Sequence, residues 1–153
     1  MSHDKLIDIL QNKIKDYNRQ LYGELNIYGE ENIDYINDKI YQKLAKYPTL
    51  GMLELFKLIH YNIKHQENIN IFICRNDETK VNIYMGDQWE KKDIDDILYP
   101  LICRLYKILN KDSNEKLVIL GHRIDNKDAN TITFYKNELI SIMKNEKEKL
   151  MNN

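Results

Sequence analysis

Hydrophobic periodicity along this chain points to an α+β fold: a small three-stranded antiparallel meander packed against several helices, with amphipathic helices at both ends. Apolar residues recur at helical spacing through most of the 153 residues. Between Ile69 and Met85 the period drops to two, the signature of pleated strands. Turn residues at Asn76-Asp77-Glu78-Thr79 and at Gly86-Asp87 cut that stretch into a meander. The length suits one domain, or one domain with a helical arm, and is enough to bury a core.

Residues 1–23 form the first segment. Ser2 is placed to cap an amphipathic helix through about Tyr22, and Ile7, Leu10, Ile14, Tyr17 and Leu21 repeat with 3,4 spacing. That seam runs for about two heptads, short of the three or four that define a coiled coil. Two readings stay open: an ordinary core-facing helix, or a helical self-association face made of these five residues. Gly23 and Gly29 then bracket a short linker.

Residues 24–110 form the core module. A helix is expected from about Glu30 to Lys46, with Glu30, Glu31 and Asp34 at the positive end of its dipole and Lys43 and Lys46 near the other. Ile33, Ile36, Ile40, Tyr41 and Leu44 make its inner face, and Pro48 stops it. Thr49 is placed to cap the next helix, Leu50 to Tyr61, which turns Met52, Leu53, Leu55, Phe56 and Ile59 inward. A polar loop from Asn62 to Asn68 follows. Ile69, Ile71 and Ile73 then alternate, Val81, Ile83 and Met85 answer them, and Gly86-Asp87 turns into a short strand around Gln88-Trp89-Glu90. With one apolar face, this sheet needs helices to cover it. Asp93 to Leu109 is helical by pattern, with a kink or a break expected near Leu98 because an interior proline, Pro100, costs about 3 kcal/mol.

Residues 111–153 form a C-terminal helical segment packing on the core. Ser113 is placed to cap a helix through about Leu120 that Gly121 weakens, with a strand over residues 116–120 as the competing reading. The last helix, Thr131 to about Leu150, turns Ile132, Tyr135, Leu139, Ile142 and Met143 inward, and its polar tail from Lys144 is expected to fray or project.

Charge narrows the functional classes. Lys and Arg number 23 against 24 Asp and Glu, a formal net charge of −1, which excludes a globally basic nucleic-acid binder and an acidic solvating chain. No run approaches the roughly 18 apolar residues of a membrane helix, and the first residues lack the basic and apolar regions of a secretion signal. Cys74 and Cys103 have no CxxC spacing, so reduced thiols in an intracellular protein are expected. Ile, Asn, Lys and Tyr crowd the chain, and all four have AT-rich codons. The composition therefore reports a genome as readily as a fold, which weakens the eleven tyrosines as a base-stacking signal.

His60, Asn62, His65 and Asn68 form the polar cluster that most resembles a site. Histidines five residues apart at a helix end can hold a metal, or belong to an HNH-type nuclease in which one histidine activates water beside a bound cation. The pattern is incomplete, because such a site has its hairpin before the histidines and a further histidine or acidic ligand. A polar helix-to-strand turn, with Asn side chains capping backbone groups, is the favoured alternative. No metal and no cofactor is assigned. Asp93, Asp95 and Asp96 stand where helix caps are expected, Trp89 reads as a packing anchor, and the chain has no Gly-rich phosphate loop, GxSxG elbow or HExxH.

The run Tyr28-Gly29-Glu30-Glu31-Asn32-Ile33-Asp34-Tyr35-Ile36, then His60-Tyr61-Asn62 and His65-Gln66-Glu67-Asn68, then the 69–73 strand and Tyr84-Met85-Gly86-Asp87-Gln88-Trp89, resembles a module of nucleocytoplasmic large DNA viruses of the mimivirus kind. In those proteins the module, whose activity is uncharacterised, often follows a two-Cys-two-His zinc finger and a coiled coil. The resemblance spans about Leu25 to Leu109. The family loop commonly reads His-Pro-Glu-Asn-His-Asn; here Gln66 replaces the proline and Ile69 the third histidine, and no finger is present. Together with the heptad-like first helix and the incomplete catalytic pattern, the architecture that the resemblance implies leads to the expectation of a non-enzymatic viral module for interaction or self-association, within a nucleic-acid-associated assembly. Its partner is then a second copy or another viral protein, in the infected cell or the virion. The alternatives are a metal-dependent, degenerate HNH-type nuclease and a direct DNA-binding protein.

Overall fold

Ile71–Ile73 (β1), Lys80–Tyr84 (β2) and Trp89–Asp93 (β3) pair antiparallel in the order β1-β2-β3, and helices pack on this sheet in an α+β fold. The computed structural model describes residues 5–6, 8–10, 12–13 and 25–151. Ile71 pairs with Ile83 and Ile73 with Val81, which puts four aliphatic side chains on the main core. Phe72 and Tyr84 join a second buried cluster with Leu10, Leu25 and Ile69, flanked by Trp89. The sheet is thus apolar on both faces, where a single apolar face was expected, because aromatics occupy the alternate positions. Ile69 lies before β1 and packs in the second cluster, apart from Ile71 and Ile73. Met85 leaves the strand and is exposed. Its N–H bonds the Gln88 carbonyl across Gly86-Asp87 at 2.9 Å, and Gly86 takes φ +111°, a conformation that favours glycine.

β1 is an edge strand, and its carbonyls are covered by side chains. The Tyr61 hydroxyl donates to Ile71 O at 2.5 Å and the buried Lys147 ammonium to Ile73 O at 3.2 Å. An edge capped in this way is closed to another strand. Burial holds the Lys147 ammonium below the usual lysine range.

The helices are Asp38–Ala45 (α1), Pro48–His60 (α2), Ile94–Leu109 (α3), Glu115–Asp125 (α4) and Ala129–Met151 (α5), with a 3-10 helix over Ile63–Asn68. Several boundaries differ from the sequence expectation, each for a local reason. The helix expected from Glu30 begins only at Asp38. Gly29 at φ +94° opens a tight turn, Asn32 Oδ1 accepts the Asp34 N–H, and Asn37 caps α1 by accepting the Ile40 N–H at 3.0 Å. α1 ends at Ala45, ahead of Pro48 as expected, with Tyr47 non-helical before the proline; Pro48 itself starts α2 at the first helical position, where its missing N–H is free of cost, and Thr49 lies inside rather than at the cap. The 62–68 loop is the 3-10 helix, capped by Asn62.

α3 runs unbroken through Pro100, which removes the break into two pieces that was one of the two expectations near Leu98. Its buried side chains Leu98, Leu101, Ile102 and Leu105 hold both halves on the core, while Pro100 and Asp96, whose carbonyl loses its partner, face solvent. α4 is helical throughout, which removes the strand alternative. Its cap is Asn114 rather than Ser113, bonded to the Leu117 N–H at 2.8 Å, and Gly121 sits against the Tyr106 ring instead of ending it. Of the tail that was expected to fray or project, the part from Lys144 to residue 151 is helical, with Lys147 buried and Leu150 packed on the second cluster, and Asn152 and Asn153 lie outside the described residues. Ile124, Tyr135 and Leu139 lie in the same main core as the helices of the 24–110 segment.

The described residues of the first segment are helical, with Leu10 buried and Ile9 exposed. Of the 3,4 seam, Leu10 packs in the second cluster; Ile7, Ile14, Tyr17 and Leu21 lie outside the described residues. Among the described residues no helix is long and apolar enough to cross a membrane.

Candidate functional site

α2 ends at His60 and the 3-10 helix starts three residues on, so the candidate histidines share one corner of the fold. Their side chains go different ways. His65 lies flat on Tyr35, ring centroids 3.5 Å apart and 7° between planes, with Nδ1 3.3 Å from Glu67 Oε1. His60 is fully buried between Tyr28 and Phe56, with centroids 5.8 and 5.0 Å away. Asn62 does the capping its residue type predicts. Asn68 is buried and faces inward with His60.

A polar network gathers around His60. Its Nδ1 meets two acceptors, Asn70 Oδ1 at 2.9 Å and Asn68 O at 3.3 Å, so the proton is assigned there. Nε2 is then left to accept from the Arg104 guanidinium at 3.2 Å. Arg104 also pairs with Glu31 Oε1 at 3.4 Å and lies 4.7 Å over the Tyr28 ring. Glu31 Oε2 accepts the Gly29 N–H at 2.6 Å and Asn70 Nδ2 at 2.8 Å. Asn68 accepts from Asn26 Nδ2 at 2.9 Å and donates to Asn32 O at 2.7 Å; Asn70 donates to Asn26 O at 3.1 Å. Residues 26–32 are clasped by these bonds onto the end of α2, the start of β1 and α3.

Burial dominates the electrostatics. It holds His60 down to about 4, Arg104 pushes the same way and Glu31 opposes, so His60 is neutral at pH 7. Burial also pushes the Tyr28 and Tyr35 phenols up to about 12. A neutral histidine with both ring nitrogens engaged, beside phenols that stay protonated, is a poor general base or metal ligand. Among the described residues no three His, Cys, Asp or Glu side chains gather closely enough to hold a metal ion. Asp93 pairs with Lys80 and Asp95 with Lys136, which uses two of the three Asp that open α3. The network reads as a clasp.

Sequence reasoning missed Glu31, Asn26, Asn70 and Arg104. Glu31 looked like a helix-dipole residue, Asn26 lay unremarked in the Gly23–Gly29 linker, and Asn70 and Arg104 were not singled out. A signal was present: three Asn at 26, 68 and 70 flanking apolar runs, where a buried amide demands a partner.

A second feature lies where the α1–α2 corner meets α4. Seven large apolar side chains stand exposed among the described residues, and four of them, Tyr47, Leu50, Val118 and Ile119, belong to these two elements. Tyr47, Pro48, Leu50 and Ile119 line a groove of about 320 Å³, with Lys116 and Arg123 on it. Past Thr49, Leu120 and Arg123 it continues into a depression of about 480 Å³ that ends at Thr131 and Phe134. Its walls are tied together. Asn114 Nδ2 donates to Ala45 O at 3.1 Å and Lys116 Nζ to Lys46 O at 3.3 Å, which satisfies two carbonyls at the end of α1. The Lys116 ammonium lies 4.8 Å over the Tyr47 ring, and the Tyr135 hydroxyl holds Thr49 O at 3.0 Å. The sequence signal was Leu50, Val118 and Ile119 lying off the inward spacing of their helices.

Compared with protein-family models, with curated proteins and with solved structures, the chain matches none.

Proposed function

We propose that this chain is a non-enzymatic interaction module that contacts another protein through the groove between the α1–α2 corner and α4. The observation that carries the reading is the exposure of three large apolar side chains together along the groove, Tyr47, Leu50 and Ile119, on walls held by backbone-capping hydrogen bonds. Clustered apolar exposure on a rigid surface marks an interaction site, because it lowers the free energy only when covered. The setting that the resemblance implies, a module of large DNA viruses, is part of the same proposal. The His60 network serves this role indirectly, by fastening residues 26–32 to the body that carries the groove.

Site-specific photo-crosslinking tests the proposal. A photoreactive phenylalanine analogue is placed at Leu50 or Ile119, and for comparison at Ile63 or Met85, which are exposed apolar positions elsewhere. The expected result is one discrete protein adduct from Leu50 and Ile119 and none from the comparison sites. Adducts from Ile63 or Met85 alone, or none from the groove, overturn the choice of surface. The nuclease alternative is tested with DNA and RNA in magnesium, manganese or zinc; cleavage that disappears on replacing His60 would overturn the non-enzymatic reading.

A further inference from the structure

We infer that the occupant of this groove is an acidic amphipathic segment of a different protein, with apolar side chains on one face and carboxylates beside them. The inference rests on the interaction reading above and adds the chemistry of the partner. The residues around the groove supply cations where the apolar lining ends. Lys116 stands at the Tyr47 end, tied to the Lys46 carbonyl, and Arg123 stands at the middle, shared by the groove and its continuation. No carboxylate lines the 320 Å³ part. Asp128, at the far end, is spent on capping α5: its Oδ2 accepts both the N–H and the hydroxyl of Thr131, at 3.0 and 2.7 Å.

Three features of the groove select that occupant. It is elongated, running from Tyr47 past Arg123 to Phe134, which suits a length of chain more than a compact ligand. In its first part Tyr47, Pro48, Leu50 and Ile119 give an apolar lining that carries Lys116 and Arg123, the complement of a helix with an apolar stripe and acidic flanks, and beyond Arg123 the lining turns mainly polar. A second copy docking about a two-fold axis is disfavoured, since an isologous contact would bring Lys116 and Arg123 of one copy toward the same residues of the other. Like charges facing across a drying interface oppose association.

The test uses two synthetic helical peptides with the same Leu and Phe stripe, one flanked by Glu and one by Lys, titrated into the full chain by fluorescence anisotropy. The Glu peptide should bind more tightly than the Lys peptide, and less tightly as salt rises. In the double variant Lys116→Glu/Arg123→Glu its affinity should fall about tenfold, as expected for reversing two surface charges, while the Lys peptide gains. Both residues are on the surface of a helix, and unchanged thermal melting of the variant shows that the fold is intact. Equal binding of both peptides to the wild type, lost in Leu50→Asp, would overturn the acidic partner while leaving the groove as an interaction site. Preference for the Lys peptide, or binding of neither, would overturn the inference. Concentration-dependent sedimentation that Leu50→Asp abolishes would replace the foreign partner with a second copy.

Discussion

Lowering the pH tests the clasp around His60. The imidazole is held at about 4 in the folded chain, against an ordinary value near 6.5 once the chain unfolds. Between those values the unfolded chain binds a proton that the folded chain refuses, so stability rises with pH through the window and is lost as pH falls. The gap, at about 1.4 kcal/mol per pH unit, bounds the loss at about 3.5 kcal/mol, and about 2.5 kcal/mol of it is gone by pH 4.5. Against a total of about 5–15 kcal/mol for a domain, that is a large share. The assay is urea unfolding from pH 7 to pH 4.5, followed by the fluorescence of Trp89, in the wild type and in His60→Gln. The variant starts less stable at pH 7, because it gives up bonds to Asn70, Asn68 and Arg104, but it lacks the titrating group. Other groups titrate in both proteins, so the difference between them isolates His60 and should shrink by about 2.5 kcal/mol across the range. A difference that stays constant, or an NMR titration of His60 near 6.5, would refute the buried neutral imidazole.

Other substitutions probe the packing and the network. Glu31→Ala removes the carboxylate that pairs with Arg104 and accepts from Asn70 Nδ2 and the Gly29 N–H, and should cost about 2–4 kcal/mol, with amide exchange at residues 26–32 accelerating first. Glu31→Ala combined with Arg104→Met should recover part of that loss, and strict additivity in urea unfolding would contradict the pairing. Gly51→Ala sets two effects against each other. Helix propensity alone favours alanine by about 1 kcal/mol, but the added Cβ overlaps the Leu44 carbonyl, so a net loss of about 1–2 kcal/mol and a Tm lower by several degrees are expected. Tyr61→Phe should cost about 1–2 kcal/mol in urea unfolding by uncovering the Ile71 carbonyl at the β1 edge. Lys147→Met should cost less, since it also removes a buried ammonium; relative to this variant the wild type should gain stability as alkaline pH rises toward the ordinary lysine value of 10.5, because the unfolded chain holds that proton more tightly than the folded one.

What was legible in the sequence, and what was not, divides along one physical line. The Gly86-Asp87 turn was readable because a tight turn that passes through positive φ favours glycine, and that requirement is local. The inward faces of α2 and α3 were readable because burial repeats with the helical period. Boundaries failed where side chains bond nearby backbone: Asn32 and Asn37 hold residues 30–37 out of the helix that their apolar spacing suggested. The α5 tail failed because Lys147, read as solvated, finds a strand carbonyl 74 residues away. The clasp was hidden for the same reason, since Asn26 reaches Asn68 across 42 positions and Asn70 reaches back to Asn26 across 44. Pairings of that separation leave no periodic trace. The groove was half-visible: Leu50 and Ile119 were off the inward spacing, but nothing local says that the two helices meet.

The clasp and the groove make opposite claims about where a partner touches this chain. Chemical-shift mapping of the isotope-labelled chain during titration with the Glu-flanked peptide measures that directly. The account predicts shifts concentrated at Tyr47, Leu50, Lys116, Ile119 and Arg123, with the signals of His60, Asn68 and Asn70 unmoved. Shifts centred on the His60 corner, with the groove silent, would contradict it.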